Sequence, residues 1–320
     1  MKLQWNQMIL SLLAVVSMLG SGSSLHAADS ATQATVPVRM TVTASVANNK
    51  RMPAITAQDI QVKQGKQSLA VTALAPANGD LAGLELFILV DEKTDPRVGA
   101  QLDDLRAFIK DQPPTTLIGV GYMRNASVQV VQNLTADHVL AAQSLRLPLG
   151  SVGAYGSPYL SVTSLMNQWP ESGNRREVLM VTDGIDRARH YGNWRHGYYS
   201  NPDVDTAAAV AQRTGTNIHS IYAPGSGLTS RFYRNALNGQ MNLSRLSDKT
   251  GGQSFYLGTH SPVSFAPYLA ELQSVLNNQY LLSFEVKPGK KAGLQYINLS
   301  TEVAGVNLSA HDAVWVPAGK

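Results

Sequence analysis

The sequence predicts an α/β protein: a doubly wound, mostly parallel sheet with one antiparallel edge strand, flanked by further β strands at both ends of the chain. Three observations carry this. From residue 84 onward, apolar runs ("LELFILVD", "TLIGVGYM", "EVLMVT", "NIHSIY") alternate with segments of helical character. Continuously apolar strands separated by helices belong to parallel sheets covered on both faces. The runs at 116–123 and 127–132 are too close for a crossover, so they pair as a hairpin and make one edge antiparallel. Before residue 80 and after residue 279 the pattern is β alone.

In chain order, "VPVRMTVTASV" (36–46) alternates apolar and other residues, as a half-buried strand does. "DIQVKQGKQSLAVTAL" (59–74) reads as a hairpin around Gln64-Gly65-Lys66. The α/β part then runs strand 84–91, helix 98–110, strands 116–123 and 127–132, helices 135–145 and 158–168, and strand 177–182. Helix 204–214, strand 217–222, helix 241–249, strand 253–257 and helix 263–278 complete it. Strands at 280–289, 294–303 and 310–317 close the chain. The N-terminal strands are too few to hold a core alone. The expectation is that strands from both ends form one β-sandwich around an inserted α/β domain. The predicted division is a leader at 1–28, an N-terminal β segment at 29–80, the α/β domain at 81–279 and a C-terminal β segment at 280–320.

The leader is read from Lys2, the apolar stretch Ile9–Leu19 and the small residues of "SLHAADS", with cleavage after Ala27 or Ala28. An exported chain without cysteine points to a secreted or periplasmic location. No later stretch is long and apolar enough to span a membrane. The formal net charge of +4, or +3 once Lys2 is lost, is scattered, which argues against a nucleic-acid partner.

In an open α/β sheet, ligands bind beyond the carboxyl ends of the strands. Three loops there carry oxygen donors: Asp91-Glu92-Lys93-Thr94-Asp95, Gly153-Ala154-Tyr155-Gly156-Ser157 and Thr182-Asp183-Gly184-Ile185-Asp186. The order and spacing resemble the von Willebrand factor type A (vWA) domain. "REVLMVTDGID" is similar to that family's strand with its TDG signature, and "DKTGGQSFYLG" to its TGG helix-to-strand step. "ITAQDIQVKQGKQSLAVTAL" and "NNQYLLSFEV" resemble the flanks of secreted vWA-related proteins described from acidobacteria.

The resemblance implies a metal-ion-dependent adhesion site, in which Asp-x-Ser-x-Ser, a middle-loop Thr and a further Asp hold Mg²⁺ or Mn²⁺. Carried over, Asp91 and Asp183 match, and Ser157 stands in for the Thr. Lys93 and Asp95 occupy the two serine positions. An ammonium cannot ligate a metal. Two readings stay open: Asp91, Asp95, Ser157 and Asp183 hold a cation in a degenerate site, or Lys93 replaces it as an internal counter-charge.

The stretch "DRARHYGNWRHGYYSNPD" (186–203) follows the TDG loop and overhangs the same face. Its Arg187, Arg189, Tyr191, Trp194, Arg195, Tyr198 and Tyr199 are residue types that dominate binding hot spots. No nucleophile elbow, zinc-protease motif, P-loop or dinucleotide fingerprint is present. "ILVDEKT" is similar to the Asp-x-Asp-x-Thr opening of haloacid-dehalogenase-type phosphatases, but Lys93 stands where the acid/base Asp belongs. The expectation is therefore an exported, non-catalytic adhesion or interaction module for a protein or cell-envelope polymer. The alternatives are a metal-dependent hydrolase using Asp91, Asp95 and Asp183, and a structural envelope component with a vestigial site.

Overall fold

The computed structural model describes residues 35–46, 52–150, 156–187, 201–226 and 232–319. The leader lies outside them. All described residues belong to one unit, Ala34–Lys320.

The N-terminal strands are β1 (Val36–Val46), β2 (Ile60–Gln64), β3 (Gln67–Leu69) and β4 (Val71–Pro76). The α/β part follows: β5 (Leu84–Asp91), α1 (Gly99–Lys110), β6 (Thr116–Arg124), β7 (Ser127–Thr135), α2 (His138–Gln143), α3 (Pro158–Gln168), β8 (Arg175–Thr182), α4 (Pro202–Thr214), β9 (Thr216–Tyr222), α5 (Tyr233–Lys249), β10 (Ser254–Phe255) and α6 (Ala266–Asn277). The chain ends with β11 (Gln279–Val286), β12 (Gly293–Tyr296), β13 (Asn298–Thr301), β14 (Val306–Ala310) and β15 (Ala313–Val316).

The central sheet has the order β10-β9-β8-β5-β6-β7. All its pairings are parallel except β6–β7, the expected antiparallel edge. Every residue of β5 and β8 is buried, because helices cover both faces. Alternation along β5 sends Leu86, Ile88 and Val90 into a core shared with α1 and α6. Phe87 and Leu89 enter a second core with α3, α4 and α5. Helix α1 presents Leu102, Leu105 and Ile109 to the first core at helical spacing.

Local chemistry starts and stops the helices. Ser157 caps α3, its Oγ accepting from the Leu160 N–H at 3.4 Å, with Pro158 at the first helical position. Asn201 and Pro202 do the same for α4, and Gly215, at φ 66°, ends it in the left-handed conformation.

Strands from the two chain ends pair with one another. The sheet β14-β1-β11-β4 places β1 antiparallel to β11, with Val36 opposite Val286 and Thr43 opposite Gln279. A second layer holds β13-β2-β3 and β12-β15. Met40, Val42, Val62, Leu282, Phe284 and Val316 fill the core that these strands share.

Several boundaries differ from expectation. The hairpin reading of 59–74 ends at Leu69, and β4 leaves to pair with β11. The strand expected at 294–303 divides at Ile297 into β12 and β13, which join different sheets. Strand β14 lies outside the expected strands but for its last residue, although "VNLSA" alternates apolar and polar residues. Helix α5 begins eight residues before the expected 241, since Asn235, Asn238 and Gly239 are weak helix formers that packing overrides. The segment expected as helix over 135–145 is helical only over α2.

Candidate functional site

The sheet order reverses between β5 and β8, and these adjacent strands end at Asp91 and Thr182. That is the topological switch point of a doubly wound sheet. Asp91 and Asp183 are each 1% exposed, and Lys93 is 4% exposed. Three buried ionisable groups therefore meet at the carboxyl end of the sheet.

Their hydrogen bonds account for every carboxylate oxygen. Asp91 Oδ1 accepts from the Lys93 backbone N–H at 3.0 Å. Asp91 Oδ2 accepts from the Thr182 hydroxyl at 2.8 Å and lies 3.8 Å from Lys93 Nζ. The ammonium also donates to the Gly156 carbonyl at 3.1 Å, tying the first loop to the middle one. Asp183 Oδ1 accepts from the Ile185 N–H at 2.9 Å, and its Oδ2 from Arg187 Nη2 at 3.0 Å. The Arg187 backbone N–H reaches the same Gly156 carbonyl at 3.2 Å. Two carboxylates are thus matched by two cations. Burial pushes the Asp183 carboxyl above its usual range; Arg187 and Lys93 oppose this, and Asp91 adds to it. The neighbouring Tyr222 phenol is pushed up to about 12 by burial and then by the Asp183 charge.

Close backbone approaches complete the cluster. A Cβ on Gly225 would stand 2.5 Å from Asp183 Oδ2. Gly184 is held at φ 66°, and its carbonyl accepts from the Tyr159 hydroxyl at 2.6 Å. A Cβ on Gly239 of α5 would overlap the Asp183 carbonyl oxygen. Alanine is the better helix former by about 1 kcal/mol, so propensity alone favours Gly239→Ala. Overpacking costs about 1–3 kcal/mol and more when backbone must move. The expected result in urea unfolding is a net loss of about 2 kcal/mol, and a more stable variant would refute the close approach.

The remaining expected ligands are committed elsewhere. Asp95 caps the turn at Pro96–Val98 and pairs with Arg97, accepting from its Nε at 3.0 Å and Nη2 at 2.5 Å. Ser157 is fully buried as the α3 cap. Glu92, 1% exposed, accepts from the Leu149 N–H at 2.8 Å and pairs with Arg146, which stacks 3.8 Å over the Tyr122 ring. Among the described residues no group of three or more His, Asp or Glu side chains could hold a metal ion. A hard dication needs free oxygens in octahedral array, whereas here two cationic side chains occupy the carboxylates. The residues as placed do not fit Mg²⁺ or Mn²⁺.

Arg187 had been expected to face a partner, but its side chain turns to Asp183 and is 20% exposed. Its spacing of four from Asp183 was the available signal. Arg189, Tyr191, Trp194, Arg195, Tyr198 and Tyr199 lie outside the described residues. Around the cluster, loops and helix starts at the carboxyl end expose large apolar side chains: Leu149 58%, Phe232 64%, Tyr233 66%, Leu257 78% and Val263 94%. Sequence reasoning missed this rim, because single apolar residues in polar loops carry no periodicity.

No protein-family model matches the chain, and no curated protein does. Solved structures similar to it include an aerotolerance-related membrane protein from Bacteroides fragilis, at 12% identity and TM-score 0.41, covering 61% of this chain and 99% of that one. BatB from Bacteroides thetaiotaomicron has 15% identity and TM-score 0.41, covering 60% and 97%. A von Willebrand factor type A protein from Catenulispora acidiphila has 10% identity and TM-score 0.43, covering 81% and 76%. By its own strand order, antiparallel edge and TDG turn at the switch point, the fold is of the vWA/Rossmann-like class.

Proposed function

We propose that this chain is an exported, non-catalytic interaction module that docks a protein or cell-envelope polymer on the carboxyl end of its sheet without a metal ion. The observation that carries the reading is the rim of exposed apolar side chains, Leu149, Phe232, Tyr233, Leu257 and Val263, around a site whose charges are neutralised internally. Large apolar side chains left exposed at one end of a fold favour an interaction site there. Lys93 and Arg187 take the place of the cation that an adhesion site of this fold would hold. Each oxygen of the paired carboxylates accepts a hydrogen bond, and Lys93 stands where a carboxylic acid/base would be needed, which argues against hydrolysis. Export rests on the leader at 1–28, and the terminal β segments at 29–80 and 280–320 serve as the platform for the α/β domain. Among the described residues no helix is long and apolar enough to cross a membrane.

Calorimetry with Mg²⁺ and Mn²⁺ is expected to show no micromolar binding by the unmodified protein. Lys93→Ser opens an oxygen-lined space, so it is expected to gain a metal-dependent rise in melting temperature. Capture of a partner from envelope extracts is expected to persist in EDTA and to fall roughly tenfold or more in Phe232→Asp or Leu257→Asp. Micromolar metal binding by the unmodified protein, or capture abolished by EDTA, would overturn the metal-free reading.

A further inference from the structure

A second site lies at the other end of the α/β sheet, where the amino ends of β8 and β9 meet the terminal β strands. There a groove of about 360 Å³ opens between the two parts of the fold. Its walls carry Arg39 from β1, Arg213 from the end of α4, Arg175 from the start of β8, and Trp315 from β15, with Asn174 and His311 alongside. No Asp or Glu is among the lining residues. Its volume falls in the range of small-ligand sites.

The charges in the groove are largely uncommitted. Arg39 and Arg213 are exposed. Arg39 makes no ion pair or side-chain hydrogen bond among the described residues, and Arg213 donates only to Asn167 Oδ1, at 2.9 Å. Arg175 is 7% exposed, and its Nη groups are spent on Leu276 O, Gln279 and Ala82 O. Its Nε–H is buried without an acceptor. An unsatisfied buried donor is costly in a folded protein. Burial lowers the Arg175 pKa, and the nearby Glu177 charge opposes the shift. His311 is neutral at pH 7 and gives its Nε2–H to Asn217, so it brings no charge to the groove. The carbonyl end of α4 carries a partial negative charge at this rim, but Arg213 stands on that end and offsets it. Trp315 is 42% exposed, which for an indole beside arginines leaves a flat apolar face open to a ligand.

We infer that this groove binds an acidic sugar residue, its carboxylate held by Arg39 and Arg213 and its ring laid on Trp315. A guanidinium fork matches a carboxylate in geometry. The C–H face of a pyranose is apolar and lies flat on an indole, while its hydroxyls meet the polar side chains of Ser172 and Asn174 on the groove wall. Neither the vWA-like switch point nor its lysine is involved, so this site stands or falls independently of the docking face.

The test is calorimetric titration of the full mature chain with glucuronate, glucose and inorganic sulfate. Saturable glucuronate binding is expected in the millimolar range or tighter, with none for glucose. Arg39→Gln and Arg213→Gln, both at exposed positions, should each weaken glucuronate about tenfold, as losing a charge-assisted pair does. Trp315→Ala should weaken glucuronate while leaving sulfate unchanged. Three outcomes overturn the inference: no saturable glucuronate binding, binding indifferent to both arginine substitutions, or sulfate binding as tightly as glucuronate with no effect of Trp315→Ala.

Discussion

Lys93→Met is expected to destabilise the fold by about 3–5 kcal/mol in urea unfolding at pH 7, the penalty typical of stripping one partner from a buried ion pair. Methionine keeps much of the length and packing of lysine, so the loss reports charge. Asp91 would keep its bonds from the Lys93-position N–H and the Thr182 hydroxyl, but the ammonium 3.8 Å away would be gone. Arg187 alone would then face two buried carboxylates. The loss should depend on pH with a definite sign. The Asp183 pKa is already raised above its unfolded value, and removing Lys93 raises it further. A group with a raised folded pKa contributes stability below its unfolded pKa and loses it as pH rises through the folded one. The penalty should therefore be largest at neutral pH and shrink as pH falls toward about 4. Asp91→Asn on the Lys93→Met background should recover more than half of the loss, because it removes the uncompensated charge while keeping an acceptor for the backbone N–H. If Lys93→Met retains wild-type stability, the lysine is not the counter-charge of this site.

The parallel sheet and its switch point were legible because burial on both faces writes itself as unbroken apolar runs, of which "LELFILV" is the clearest. That legibility placed Asp91, Lys93 and Asp183 at one end of the sheet. What the sequence could not show was which oxygen each cation would occupy. Asp95 is the same residue type as Asp91, yet the proline after it starts a turn that delivers the Arg97 guanidinium back to it. Arg187 reads as one more arginine of a basic loop until the TDG turn folds it onto Asp183. The basic groove was still less visible. Arg39, Arg175, Arg213 and Trp315 are distant in sequence and meet only because strands from the two chain ends pair beside the start of β8. Buried Arg175 and Glu177 extend an apolar strand in a way that hydropathy counts against it. Their burial makes sense only with the polar partners that tertiary structure supplies.

Those partners predict how the protein responds to acid. Glu177, fully buried, accepts from Asn217 at 3.1 Å, Gln279 at 2.7 Å and His219 Nε2 at 2.8 Å. His219 Nδ1 accepts from the Gln253 N–H at 3.0 Å, which leaves Nε2 to donate to Glu177. Asn217 Oδ1 in turn accepts from His311 Nε2 at 2.8 Å. The network joins β8 and β9 to β11 and to the turn between β14 and β15, so it fastens the terminal strands to the α/β sheet. Burial lowers the His311 pKa from 6.5 to about 4, with the Glu177 charge opposing the shift. The unfolded chain therefore takes up a proton near pH 6.5 that the folded protein refuses until about pH 4. Stability from this residue is full above pH 6.5 and is lost as pH falls toward 4, a total of roughly 3 kcal/mol. Between pH 7 and pH 5 the share is about 2 kcal/mol. The raised carboxyl pKa values of Asp183, Asp248 and Asp312 act in the opposite sense, so the wild-type curve alone does not isolate the histidine. Comparison with His311→Gln does, because glutamine can still donate to Asn217 and cannot titrate. The variant is expected to lose about 2 kcal/mol less than the wild type between those two pH values. Equal losses would mean that acid weakens the protein elsewhere and that His311 is not what ties the two parts together in a neutral form.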